Sequence, residues 1–171
     1  RRTAPFFYEG LAKRGVVRLK RFSKFGGCDV MAQLIADRVR KEYADTHFDM
    51  IIPIPTKRTW RSERDFNHTD LISKRVAKLL KIKCRRNILV KIYENAPQKG
   101  MSRTDRIGNV AGVFDVKAPS KINGKNILLV DDVITTGATV NECAKMLKIF
   151  GADTVYAAAL CVGKKANIDK K

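Results

Sequence analysis

A chain of 171 residues, 44% apolar and 8% aromatic, can build one domain around a proper hydrophobic core, and this excludes a disordered or fibrous protein. Lys and Arg number 35 against 17 Asp and Glu, so the net charge is +18; such a field attracts nucleic acid, polyphosphate or phosphorylated metabolites but does not bear on fold. No apolar run approaches the ~20 residues that span a bilayer, and Arg1-Arg2-Thr3-Ala4-Pro5 has no apolar stretch behind it, so the sequence predicts a cytoplasmic protein without membrane insertion.

Residues 10–24 read as a basic helix with Leu11, Leu19 and Phe22 as inward positions. After Phe25-Gly26-Gly27 a second helix is expected from Asp29 to Tyr43, with Asp29 at its start and Val30, Leu34, Ile35 and Val39 at helical spacing. Asp49 to Pro55 forms a short apolar strand closed by prolines that cannot donate ladder hydrogen bonds. A basic loop then runs to about Phe66, and the next helix carries Leu71, Ile72, Val76, Leu79 and Leu80 on one face.

A strand is expected from Ile88 to Tyr93, and another from Val110 to Val116. Between them, residues 94–108 show no apolar period and read as a long loop with a helical turn; long loops inside compact domains are usually functional. Lys121-Ile122-Asn123-Gly124 reads as a turn. Asn126 to Val130 has the wholly apolar centre of a parallel strand covered on both faces. A helix follows from about Thr139 to Phe150, with Val140, Cys143, Ala144, Leu147 and Phe150 inward and Gly151 as its left-handed stop. Thr154 to Val162 is the last strand, joined by a right-handed crossover. The pattern predicts an α/β fold with a central, mostly parallel sheet flanked by helices.

Charge and thiols are distributed unevenly. Residues 1–26 hold eight basic residues against Glu9 alone, and residues 56–106 hold fifteen against five acids. Cys28, Cys84, Cys143 and Cys161 lie too far apart for a metal knuckle and read as reduced, mostly buried thiols. His47 and His68 stand alone, and no metal ligand set is expected from protein residues.

The chemistry concentrates where the apolar strand ends, at Asp131-Asp132-Val133-Ile134-Thr135-Thr136-Gly137-Ala138-Thr139. Open α/β sheets place ligands at the carboxyl ends of their strands. A Thr- and Gly-rich turn entering a helix offers backbone N–H groups, hydroxyls and the positive helix end to one small volume, which suits a phosphate. Gly137 lets the backbone approach the anion. The two carboxylates cannot bind a phosphate directly, because like charges repel, but they can accept hydrogen bonds from hydroxyls beside it. A phosphate flanked by a diol describes a ribose 5-phosphate. The bland reading is a capped strand–helix connection with Thr139 as the cap. The G-x-x-x-x-G-K-[ST] and G-x-G-x-x-G phosphate motifs are missing.

Leu129 through Thr139 resembles the signature of type I phosphoribosyltransferases, with Ala138 where several members have a second glycine. Phe7-Tyr8-Glu9-Gly10, Ile52-Pro53-Ile54-Pro55 followed by Arg58, Arg61 and Arg64, Phe66-Asn67-His68, Gln98 to Arg103 and Arg106 to Val110 are similar to the ComF/GntX family in the expected order. His68 stands where glutamine is common, and the four-cysteine zinc module that often opens these proteins is not in this chain, so the resemblance implies one phosphoribosyltransferase-type domain over residues 1–171.

The resemblance also implies roles. Asp131 and Asp132 would hold the 2- and 3-hydroxyls of phosphoribosyl diphosphate, and Thr135, Thr136, Gly137, Ala138 and Thr139 would wrap its 5-phosphate. Thr56, Lys57 and Arg58 would form the diphosphate loop with Arg61 nearby. Arg103 and Arg106 would sit in a mobile cover, part of a small hood. Magnesium would arrive with the diphosphate, and phosphoribosyl transfer to an unidentified nitrogenous acceptor would be the reaction. The alternative is a non-catalytic protein of natural competence binding single-stranded DNA, where Phe6, Phe7, Tyr8, Trp60 and Phe66 near the basic clusters either stack on bases or, for most of them, pack in the core.

Overall fold

The computed structural model describes residues 1–22, 26–55, 68–92 and 113–164. The strands are β1 (Arg2–Thr3), β2 (Phe6–Phe7), β3 (Met50–Pro53), β4 (Lys83–Cys84), β5 (Leu89–Lys91), β6 (Phe114–Val116), β7 (Asn126–Ile134) and β8 (Thr154–Val162). The helices are α1 (Gly10–Phe22), α2 (Gly26–Glu42), α3 (His68–Leu80) and α4 (Ala138–Ile149), with a single 3-10 turn at Pro119–Lys121.

The main sheet runs β1-β8-β7-β3-β4, and β2 also pairs with β8. Every pairing in it is parallel. β5 and β6 form a separate antiparallel pair. The expected sheet is therefore present, and it gains an edge the sequence did not predict. β1 and β2 lie along β8 in one continuous register, Arg2 beside Ala157 and Phe7 beside Val162. Pro5, which has no N–H to give a ladder, falls in the gap between them.

One core lies on each face. Toward α4 and the β5–β6 pair, Ile127, Leu129, Ala157 and Ala159 pack against Val140, Cys143 and Leu147. Toward α2 and α3, Leu128, Val130, Ala158 and Ile51 pack against Ile35, Val39, Ile72 and Val76. The alternation of β7 residues between these clusters is the period of two that a strand covered on both faces requires.

Two helix faces differ from expectation. Leu11 is 79% exposed and Val30 60% exposed, while Val16 at 1% is the buried anchor of α1. On α2 the inward stripe is Cys28, Met31, Ala32, Ile35, Ala36 and Val39. Small Ala32 and Ala36 occupy that face, so a bulky neighbour such as Val30 is left to solvent. The start of α2 at Gly26 also puts Asp29 inside the first turn rather than before it, where its charge complements the helix dipole.

The amino end of the sheet is pinned by Asp49. Its carboxylate accepts the Asn126 N–H at 2.8 Å and the Lys125 ammonium at 3.2 Å. The Asn126 amide, reinforced by Lys125, holds the Asp49 carboxyl below its ordinary range. At the other end of α4, Gly151 takes φ of 96° as the expected left-handed stop, and the Asn123 carboxamide oxygen lies 2.6 Å from where a Cβ would stand.

Candidate functional site

The site begins inside β7, not after it. The strand continues to Ile134, so Asp131 and Asp132 belong to it. β3 stops pairing with β7 at Pro53–Val130, whereas β8 stays paired out to Ile134–Val162. The polar residues therefore sit in a ladder with one neighbour instead of two.

The pairing with β8 skips Asp132, whose N–H is donated instead to the Asp131 carboxylate at 2.8 Å. The faces slip at the same place: Val130 and Val133 both join the α2–α3 core, and Leu129 and Ile134 both join the α4 core. The two acids consequently have different surroundings. Burial pushes the Cys143 thiol of α4 far above its ordinary range, and Asp131 adds to it. Burial pushes the Cys161 thiol of β8 up to about 11, and Asp132 adds to it.

The turn after β7 is held by the end of β8. The Gly163 N–H donates to the Ile134 carbonyl at 2.8 Å, and a Cβ on Gly163 would lie 2.5 Å from the Thr135 carbonyl oxygen. Gly137 has φ of 83° and occupies the N-cap position of α4 without a side-chain cap bond. Its carbonyl accepts the first helical bond, from the Asn141 N–H at 2.8 Å. Thr139 is therefore inside the helix and is not its cap. The hydroxyl of Thr136 takes the Ala138 N–H at 3.3 Å. Among the described residues, the N–H groups of Thr136, Gly137, Thr139 and Val140 meet no acceptor. An open helix start of this kind offers N–H donors and the positive end of the helix dipole to an anion.

These elements enclose a cavity of about 40 Å³ lined by Asp131 and residues 133–140. That is room for roughly three water-sized groups, the scale of a single phosphate. All five residues expected in the phosphate loop come together here with Asp131. Asp132 does not line the cavity and is 8% exposed.

Thr56, Lys57, Arg58, Arg61, Arg103 and Arg106 lie outside the described residues. The chain does leave β3 at the carboxyl end of the sheet, where the Ile54 N–H donates to the Val130 carbonyl at 2.9 Å next to Asp131.

Two cations escaped the sequence reading. Lys91, on β5, acts on the Cys143 thiol in the sense opposite to Asp131. Arg2, on β1, sets its guanidinium against Gly137. Both are delivered by pairing between distant segments, and no local pattern marks them. Among the described residues, no group of three or more His, Cys, Asp or Glu could hold a metal ion, and no helix is long and apolar enough to cross a membrane.

Comparison with known proteins agrees with this geometry. The phosphoribosyl transferase domain family matches residues 71–171. Competence protein F of Haemophilus influenzae is 34% identical over 110 residues, 63% of this chain and 47% of that protein. The DNA utilization protein YhgH of Escherichia coli O6:H1 is 34% identical over 115 residues, 66% of this chain and 49% of that protein. The chain thus spans about half the length of these curated relatives. The crystal structure of purine phosphoribosyltransferase from Pyrococcus horikoshii superposes with a TM-score of 0.52 at 17% identity, over 82% of this chain and 77% of that one, and shows the shared fold. The open helix start, the acid-bearing strand end and these matches together make the chain a member of the phosphoribosyl transferase domain family and, within it, of the ComF group.

Proposed function

We propose that the protein binds 5-phosphoribosyl 1-diphosphate and transfers its phosphoribosyl group to a nitrogenous acceptor. One observation carries this reading: a cavity the size of one phosphate is lined by Asp131 together with residues 133–140, and the N–H groups of Thr136, Gly137, Thr139 and Val140 meet no acceptor among the described residues. The donors suit an anion and the carboxylate suits hydroxyls, so the complementary ligand is a phosphate monoester that also carries a pair of hydroxyls on adjacent carbons.

In this reading residues 135–139 hold the 5-phosphate and Asp131 accepts from the ribose hydroxyls. The Asp132 amide fixes the Asp131 carboxylate through the 2.8 Å bond, and Asp132 supports the pair from its buried position. Lys57, Arg58, Arg61, Arg103 and Arg106 supply charge for the diphosphate. The bond from C1 to the diphosphate oxygen breaks and a bond from C1 to the acceptor nitrogen forms, with the leaving electron pair stabilised by cations. Magnesium suits such a substrate. Asp131 offers it a hard oxygen, but the described residues form no cage, so the ion would come bound to the diphosphate and neutralise it. A cytoplasmic setting fits the described cysteines, all of which are free thiols.

Titration calorimetry with phosphoribosyl diphosphate, with and without magnesium chloride, tests the binding. Saturable binding is expected, and no heat in either case ends the proposal. Diphosphate release across a panel of nitrogenous bases tests the transfer.

A second activity, single-stranded DNA binding, is favoured by the names of the relatives and by the exposed Lys13, Arg14 and Arg18 on α1. Electrostatic binding to a single strand should weaken with log salt by about 0.7 per neutralised phosphate. Anisotropy of a labelled oligonucleotide that does not change at ~50 mM salt removes this activity.

A further inference from the structure

Arg2 has a position that the family signature does not explain. β1 pairs Arg2 with Ala157 and Thr3 with Ala158. Ala157 belongs to the α4 core and Ala158 to the α2–α3 core, so alternation turns the two neighbours to opposite faces. Thr3 is anchored on the α2 side, where its hydroxyl accepts the Arg38 Nε–H at 3.0 Å and Arg38 in turn pairs with Glu42 at 3.0 Å. Arg2 is left to reach the loop at the head of α4. A Cβ built on Gly137 would stand 1.8 Å from its Nη1 and 3.1 Å from its Cζ.

The guanidinium has no counterpart there. Its Nη1 is buried without a hydrogen-bond partner, and Arg2 forms no ion pair among the described residues. A buried N–H donor without a partner is costly to a fold, although the Arg2 side chain as a whole is partly exposed. It lies beside Gly137, in a turn where the N–H groups of Thr136, Gly137, Thr139 and Val140 are also without acceptors. The polar groups left without partners at this place are donors, and the partner they lack is an anion with several acceptor oxygens. A phosphate monoester meets that need, and an arginine fork matches its geometry.

We propose that Arg2 is a phosphate-binding residue, the cationic arm of the subsite formed by residues 135–139. The proposal rests on the reading of that loop as the 5-phosphate site. It adds a coupling: because Arg2 sits on the edge strand, an occupied subsite holds β1 against β8. The Ala157 N–H, which donates to the Arg1 carbonyl at 2.9 Å, reports on that contact.

The test uses the full chain and ribose 5-phosphate, measured by calorimetry for the wild type, Arg2→Ala and Arg2→Lys. Arg2→Ala is expected to bind about 10- to 150-fold more weakly, the range for a hydrogen bond to a charged group. Arg2→Lys should keep the charge without the fork and fall between. Guanidinium ion added at millimolar concentration should restore part of the Arg2→Ala loss. Hydrogen exchange at residues 1–8 should slow when ribose 5-phosphate is added to the wild type and stay unchanged in Arg2→Ala. If the wild type binds and both folded variants bind within twofold of it, Arg2 has no such role while the loop reading stands. If the wild type does not bind ribose 5-phosphate, the loop reading falls and takes the proposal with it. Should Arg2→Ala fail to fold, equal binding by wild type and Arg2→Lys, without a change in exchange, overturns the proposal.

Discussion

From Ile127 to Val130, β7 is paired to β3 on one side and β8 on the other, whereas from Asp131 to Ile134 only β8 remains. The first half places Ile127, Leu128, Leu129 and Val130 at 0% exposure between two cores. The second half carries a partly buried carboxylate, a skipped pair and a slipped face. The difference shows how one strand can serve two ends. Where both neighbours are present, side chains go to packing; where one neighbour stops, the strand keeps its anchorage on β8 and brings Asp131 to the cavity at the head of α4.

The comparison can be broken by substitutions on either side of the boundary. Leu128→Ala, in the doubly paired half, should cost about 2–5 kcal/mol of stability, read by urea unfolding, and leave the ribose 5-phosphate affinity of the folded protein within a few-fold. A proportional loss of affinity would mean that the halves are not separable. Asp131→Asn should do the reverse. Ribose 5-phosphate binding should weaken by about 1.5–3 kcal/mol while the unfolding midpoint barely moves, and inorganic phosphate, which has no hydroxyl pair on adjacent carbons, should bind as well or better.

Gly137→Ala sharpens the comparison at the turn itself. A residue with a Cβ at φ of 83° should lose about 1–2 kcal/mol, and the new methyl must also displace the Arg2 guanidinium. Thermal unfolding measures the first effect and phosphate titration the second. The smallest effect is expected at the far end of β7. Asp49→Asn should cost about 1 kcal/mol at neutral pH. The folded Asp49 carboxyl titrates lower than in the unfolded chain, so its contribution is complete above the ordinary Asp range near ~4. It is lost as pH falls through the lowered folded value, and the gap between variant and wild type should close in acid.

The elements with local patterns were readable from sequence. The apolar run of β7, the Val140–Cys143–Leu147 stripe and the stop at Gly151 all lie where period and residue type put them. The end of β7 was not readable, because Asp131 and Asp132 look like loop residues and only the continued pairing with β8 keeps them extended. The edge strands β1 and β2 were missed for a related reason. Each is two residues long, and neither is held by anything near it in sequence. Val30 misled because helical spacing marks bulky residues, whereas α2 turns small Ala32 and Ala36 inward. At the site, the convergence of residues 135–139 with Asp131 was legible and the divergence of the two acids was not. That divergence follows from the slip in β7, which no residue type announces.

The parallel seam of residues 2–7 on β8 has a consequence for assembly. Its partners lie at positions 157–162, so every contact spans nearly the whole described chain. Closing so large a loop gives little return until the rest of the sheet stands, and such pairings form slowly. During synthesis the opening segment emerges well before the strand it needs. It must stay unpaired until β8 is made, so this margin of the sheet is expected to be the last to zip and the first to fray.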